Sequence, residues 1–183
     1  MNNMRATFLM IARILYDKGY KEYTHAARII RGKYPEARFE LLGKIDQEYP
    51  NHVPESVVRH DHAEGVIHYL GFVSDVREII RQADCIVLPT FYNEGLSRVL
   101  MEAMALRKSI ITTNIPGCKE TVEEGRNGFL VPPRDVDALA QAMECFIRLP
   151  EEERIKMGKY SREKAEREFD IRNVIAIYRK ITG

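Results

Sequence analysis

The sequence predicts an α/β fold, a parallel sheet with helices on both faces. Short apolar runs of strand length recur at residues 7–12, 38–43, 66–71, 84–88, 109–113 and 129–131. Segments of helical periodicity lie between most of them, and strands apolar throughout need helices on both sides. Size agrees: 183 residues with 45% hydrophobic content suit one domain with a sizeable core.

Residues 7–12 read as a buried strand, followed by a charged loop to Gly19 and a helix over residues 20–33. Pro35 follows that helix as a stop signal. After the strand at 38–43, the segment 44–64 is polar, contains Pro50 and Pro54, and reads as an irregular, variable loop. A helix over 74–82 separates the strands at 66–71 and 84–88. The helix expected over 95–107 has a clear apolar stripe, with Leu96, Val99, Leu100, Ala103 and Met104 at i, i+3, i+4, i+7 and i+8. After Asp135 the chain reads as wholly helical, over 136–149, 151–168 and a shorter stretch at 171–181.

Composition narrows the function. With 28 basic and 27 acidic residues, net charge +1, nothing favours a general polyanion-binding role. Cys85, Cys118 and Cys145 are too few and too far apart for a disulfide framework, and a reducing cytoplasm suits them. The apolar runs are too short for a bilayer span, and Met1-Asn-Asn-Met-Arg5 does not open a signal peptide. Neither Gly-x-Gly-x-x-Gly nor Gly-x4-Gly-Lys-Ser/Thr occurs, which disfavours dinucleotide dehydrogenases and P-loop enzymes.

The chemistry-bearing residues gather where strands end. Glu94 sits in the loop leaving the apolar run Cys85–Leu88, and Glu102 lies in the helix that follows. Glu102 falls off the apolar stripe, on its flank, where it need not be buried. Loops at the carboxyl ends of strands are where open α/β sheets bind ligands. At about 1.5 Å per residue, a helix entered near Leu96 carries Glu102 about 9 Å along, roughly the sugar-to-ribose span of an extended sugar nucleotide. Between the two carboxylates, the N–H groups of Gly95, Leu96 and Ser97 at the helix amino terminus suit a phosphate. Arg13 and Lys18 lie in the loop after the first strand. Cations there would stabilise negative charge on a bound phosphate without any proton donor. Each residue alone has a plainer account: a solvated basic loop, a carboxylate facing a helix dipole, an exposed helical Glu.

Two further patterns point away from metal. Asp135-Val-Asp137 has D-x-D spacing, yet it follows Pro132-Pro133 and opens an apolar-periodic helix, so Asp135 reads as an N-cap. His60-Asp-His62, with His52 nearby, has no further ligand cluster at metal-like spacing and reads as solvated loop.

Taken in order, these landmarks resemble a known family. They are Ala12-Arg-Ile-Leu-Tyr-Asp-Lys-Gly19, Leu41-Leu-Gly43, Tyr69-Leu-Gly71, the E-x7-E pair Glu94 and Glu102 followed by Ala-Met-Ala, and Asn127-Gly-Phe-Leu-Val-Pro132. The chain resembles the retaining glycosyltransferases of family 4, over nearly its whole length but only in their carboxyl-terminal, donor-binding domain. The resemblance implies one Rossmann-like half of a GT-B fold over residues 1–183, with the amino-terminal acceptor domain absent from this chain. It implies that Arg13 and Lys18 contact the donor phosphates, that Glu94 contacts the sugar hydroxyls and that Glu102 contacts the ribose. Gly95, Leu96 and Ser97 complete the donor site, with no metal and no cofactor.

Two departures from the family pattern stand out. Ala12 replaces the usual Gly, and Glu94-Gly-Leu-Ser97 replaces Glu-Gly-Phe-Gly. With Ile115-Pro-Gly-Cys-Lys-Glu120, the latter resembles members that build bacterial surface polysaccharides from UDP-linked, often N-acetylated, sugars. Expected partners are a nucleotide sugar and a glycan or lipid-linked acceptor, not nucleic acid. The expected location is cytoplasmic, with the full-length enzyme peripheral at the inner face of the membrane. Such a domain alone binds donor but turns over poorly. The alternatives are a non-catalytic nucleotide-binding or interaction module, or half of a sugar-nucleotide epimerase. Arg13, Lys18, Glu94 and Glu102 occurring together argue against a decayed site.

Overall fold

The computed structural model describes residues 4–93 and 95–169. Among them, six strands form one parallel sheet in the order β3-β2-β1-β4-β5-β6. The strands are β1 (Thr7–Ile11), β2 (Arg38–Leu42), β3 (His68–Tyr69), β4 (Cys85–Leu88), β5 (Ser109–Thr113) and β6 (Gly128–Val131). This is a Rossmann-like arrangement: the chain builds outward from β1 to β3, then returns to place β4 on the other side of β1. In register, Phe8 stands opposite Phe39 and Cys85, and Ile86 opposite Leu9 and Ile110.

Side-chain alternation along the central strands creates two cores. Phe8 and Met10 of β1, with Cys85 and Val87 of β4, face a layer built from α1 (Tyr20–Lys33) and α5 (Val136–Arg148). Leu9 and Ile11, with Ile86 and Leu88, face α4 (Arg98–Ala105) and α6 (Glu151–Glu168). Every residue of β4 and β5 is buried, as strands covered on both faces must be. Phe8 anchors the first layer, stacked on Phe39 at 5.2 Å between ring centroids and edge-on to Phe146 at 5.7 Å.

The bounds of α1, β5 and α6 agree with the sequence reading. Asp135 caps α5 as expected, its carboxylate accepting from the Ala138 N–H at 2.9 Å. Other expectations need correction. The segment 44–64 is not wholly irregular: it contains α2 (Glu55–Ala63). The inward positions of α2 are Val58 and Asp61, so one place on its buried stripe is a carboxylate and the apolar periodicity is hidden. Asp61 is satisfied there by the Tyr20 hydroxyl at 2.6 Å and Arg28 at 2.8 Å. His60 and His62 therefore sit on a helix, not in a solvated loop, and His62 Nδ1 accepts from the Tyr69 N–H at 3.0 Å. α3 (Arg77–Gln82) starts later than residue 74, and β3 is shorter than residues 66–71. The helix expected at 171–181 lies outside the described residues.

Candidate functional site

The strand order reverses between β1 and β4, so the loops leaving their carboxyl ends diverge and open a crevice. The structure ties these loops closely together. Gly19, which ends the turn Tyr16–Lys18, has φ of 93°, and a Cβ there would lie 2.1 Å from the Pro89 carbonyl oxygen. Glycine is required twice over, by backbone conformation and by contact with the β4–α4 loop. Thr90, fully buried, is the hub. Its hydroxyl donates to the Asp17 carbonyl at 3.1 Å and accepts from the Tyr92 N–H at 3.1 Å. Its carbonyl accepts from the Thr113 hydroxyl at the end of β5, at 2.5 Å. The Phe91 N–H also reaches the Asp17 carbonyl, at 3.0 Å. Loops after β1, β4 and β5 are thus one hydrogen-bonded unit.

Arg13 and Lys18 both stand on this unit. The Arg13 guanidinium lies 4.7 Å from the centre of the Tyr49 ring, and the Lys18 ammonium 5.1 Å from that of Tyr92. Lys18 is held below the ordinary lysine pKa, first by burial and then by the Arg13 charge, with Cys118 and Asp17 pulling the other way. The two cations therefore feel each other. An anion placed between them would relieve that repulsion.

The carboxylates and the loop before α4 differ in part from expectation. Glu94 lies outside the described residues. Glu102 is only 6% exposed, not on a solvated flank. The reason is that α4 packs against β4, β5, α6 and the turn Lys119–Thr121, so more than its apolar stripe is covered. Gly95 and Leu96 are exposed and lie in a bend ahead of the helix, which begins at Arg98. Ser97 is the N-cap, its hydroxyl accepting from the Leu100 N–H at 3.3 Å. Its own N–H is not a spare donor, because it bonds the Gly117 carbonyl at 3.1 Å. Gly117 is in turn fixed by Glu120, whose carboxylate accepts its N–H at 2.8 Å. From Arg98, Glu102 is four residues on, or about 6 Å along the axis.

Sequence reasoning missed Thr90, Tyr49, Tyr92 and Glu120. A hydroxyl residue directly after a strand-ending proline was the available signal for Thr90; the aromatic partners had none. Among the described residues, clefts also occur outside the crevice. One, of about 510 Å³, touches it through Tyr16 and Phe91. Another, of about 660 Å³, lies at the amino-terminal edge of the sheet beside Asp84, Lys108 and Arg154. Lys108 is occupied there, donating to the Arg81 and Ala83 carbonyls at 2.7 Å. The crevice is the better candidate, since it gathers the cations at the switch in strand order. Among the described residues no group of three or more His, Cys, Asp or Glu could hold a metal. No helix among them is long and apolar enough to cross a membrane.

Comparison with known proteins decides the family. The model of the family "Glycosyl transferases group 1" matches residues 1–164. This chain belongs to the group 1 glycosyl transferases. Among similar proteins, one from Campylobacter jejuni is an N,N'-diacetylbacillosaminyl-diphospho-undecaprenol alpha-1,3-N-acetylgalactosaminyltransferase. It is 30% identical over 150 residues, covering 82% of this chain and 37% of the relative. The capsular polysaccharide biosynthesis glycosyltransferase CapM of Staphylococcus aureus is 31% identical, covering 87% of this chain and 41% of the relative. Anabaena HepE, solved in complex with UDP, shares the fold with a TM-score of 0.79 at 23% identity, over 99% of this chain and 48% of its own. The chain thus spans less than half the length of these relatives and of this structural neighbour.

Proposed function

We propose that this chain is the nucleotide-sugar donor domain of a retaining, family-4-type glycosyltransferase, the carboxyl-terminal half of a GT-B enzyme. The observation that carries this reading is the pairing of Arg13 and Lys18 at the strand-order switch, on a unit that also bears the β4–α4 loop. The donor diphosphate lies against these two cations and the amino terminus of α4. As the bond from sugar to diphosphate breaks, negative charge gathers on the leaving group, and fixed cations stabilise it. The buried Glu102 accepts from the ribose hydroxyls, while Glu94 accepts from the sugar. Gly95, Leu96 and Ser97 form the wall between them, Ser97 by fixing the helix start through its cap.

Relatives named for capsule and undecaprenol-linked glycan synthesis support a hexosyl or N-acetylhexosaminyl donor and a glycan or lipid-linked acceptor in surface polysaccharide synthesis, and the UDP bound to Anabaena HepE supports a UDP-linked donor. Most of the acceptor is bound by a second half outside these residues, so the domain alone binds donor and turns over poorly. The enzyme works in the cytoplasm, peripheral at the inner face of the membrane. Positive charge comes from the chain itself, and Asp135 of the D-x-D is spent on capping α5, so the reading is metal-independent. Calorimetric titration of UDP and GDP in excess chelator tests it. UDP should bind and GDP bind less well; heat from neither, or binding restored only by manganese or magnesium, would refute it.

A further inference from the structure

Beside the crevice, the cleft of about 510 Å³ between α1, α2 and the β4–α4 loop has the size of a small-molecule site. Its lining combines two kinds of surface. Aromatic rings come from Tyr16, Tyr20 and Phe91. Tyr16 is 37% exposed and edge-on to Tyr20 at 6.5 Å, and Phe91 is only partly buried. Carboxylates come from Asp61 and Glu22. Both oxygens of Asp61 are taken, one by Tyr20 and the other by Arg28. Glu22 differs: its Oε2 is buried and accepts no hydrogen bond. Glu22 lies in the first turn of α1, where the helix dipole favours its charge. That field does not fill the empty acceptor position, and a buried acceptor without a donor is unfavourable.

We propose that this cleft is an acceptor-side subsite for a neutral, hydroxyl-bearing sugar ring. The proposal rests on the donor-site reading above and extends it. A pyranose has an apolar C–H face to lay on the aromatic rings and hydroxyl groups to donate to Glu22. Arg28 pairs with Asp61 at 2.8 Å and Lys21 offsets Glu22, so the lining is balanced, favours neither anion nor cation, and does not duplicate the diphosphate site. Position fits as well: Tyr16 and Lys18 belong to the same turn, so a sugar on Tyr16 lies one turn from the proposed leaving group.

The test uses the 183-residue chain, titrated by NMR with maltose, lactose and N,N′-diacetylchitobiose in the millimolar range, and in parallel with UDP. At least one disaccharide should shift the ring resonances of Tyr16 and Phe91. Glu22→Met should weaken that sugar by about tenfold or more, and Tyr16→Ala should weaken it too, while UDP affinity stays the same in both. No disaccharide shifting those rings, or sugar affinity unchanged in both variants, overturns the subsite. Disaccharide binding without UDP binding would instead remove the donor-site reading and leave the subsite standing.

Discussion

Replacing Thr90 with valine keeps the shape of the side chain and removes the hydroxyl that joins the two loops flanking the crevice. The hydroxyl donates to the Asp17 carbonyl and accepts from the Tyr92 N–H, each at 3.1 Å. Tyr92 is 44% exposed, so its N–H can turn to water, and the Asp17 carbonyl keeps the Phe91 N–H at 3.0 Å. With no carbonyl left unpaired, the lost hydroxyl bonds should cost about 1 kcal/mol. For a domain of this size that is a fall in melting temperature of about 2–4 °C. Lys18 follows Asp17 directly, so UDP affinity should fall as well, while Thr90→Ser should restore both properties. Thermal unfolding and calorimetric titration of the three proteins check this. A valine variant as stable as wild type, or a serine variant behaving like valine, would refute the account of the joined loops.

Lys18 predicts a pH dependence. Burial and Arg13 depress its pKa in the free protein, and a bound diphosphate would raise it. UDP affinity should therefore be full below the free-protein pKa of Lys18 and decline as pH rises through it, with proton uptake on binding in that alkaline window. Titrations in buffers of different ionisation enthalpy check this; an affinity that rises with pH there would contradict it. Glu94→Gln should leave UDP binding nearly intact and lower affinity for the correct UDP-sugar, measured by the same titration; equal losses for both ligands would contradict the sugar role.

Much of the fold was legible because local signals and packing agree. α1 starts after a glycine that must adopt a left-handed conformation and ends before Pro35, and β5 is an apolar run buried at every position. α2 was hidden by Asp61, because a carboxylate satisfied by residues distant in sequence looks like a loop residue. The burial of Glu102 was hidden for a related reason. A stripe argument assumes one covered face, whereas α4 is covered by the sheet, α6 and the turn Lys119–Thr121. Arg13 and Lys18 could be picked out by spacing, but not their settings over Tyr49 and Tyr92. Thr90 joins residues far apart in the chain through bonds that only the strand order creates.

The central claim is that the crevice binds a nucleotide, and the most direct measurement is calorimetric titration of UDP into the wild-type chain and Glu102→Ala. The account predicts binding to wild type and a loss in the variant of about 1.5–3 kcal/mol, or about 10- to 150-fold in Kd, as a charge-assisted hydrogen bond to ribose disappears. No heat with wild type, or an unchanged Kd in a variant shown to be folded, would contradict it.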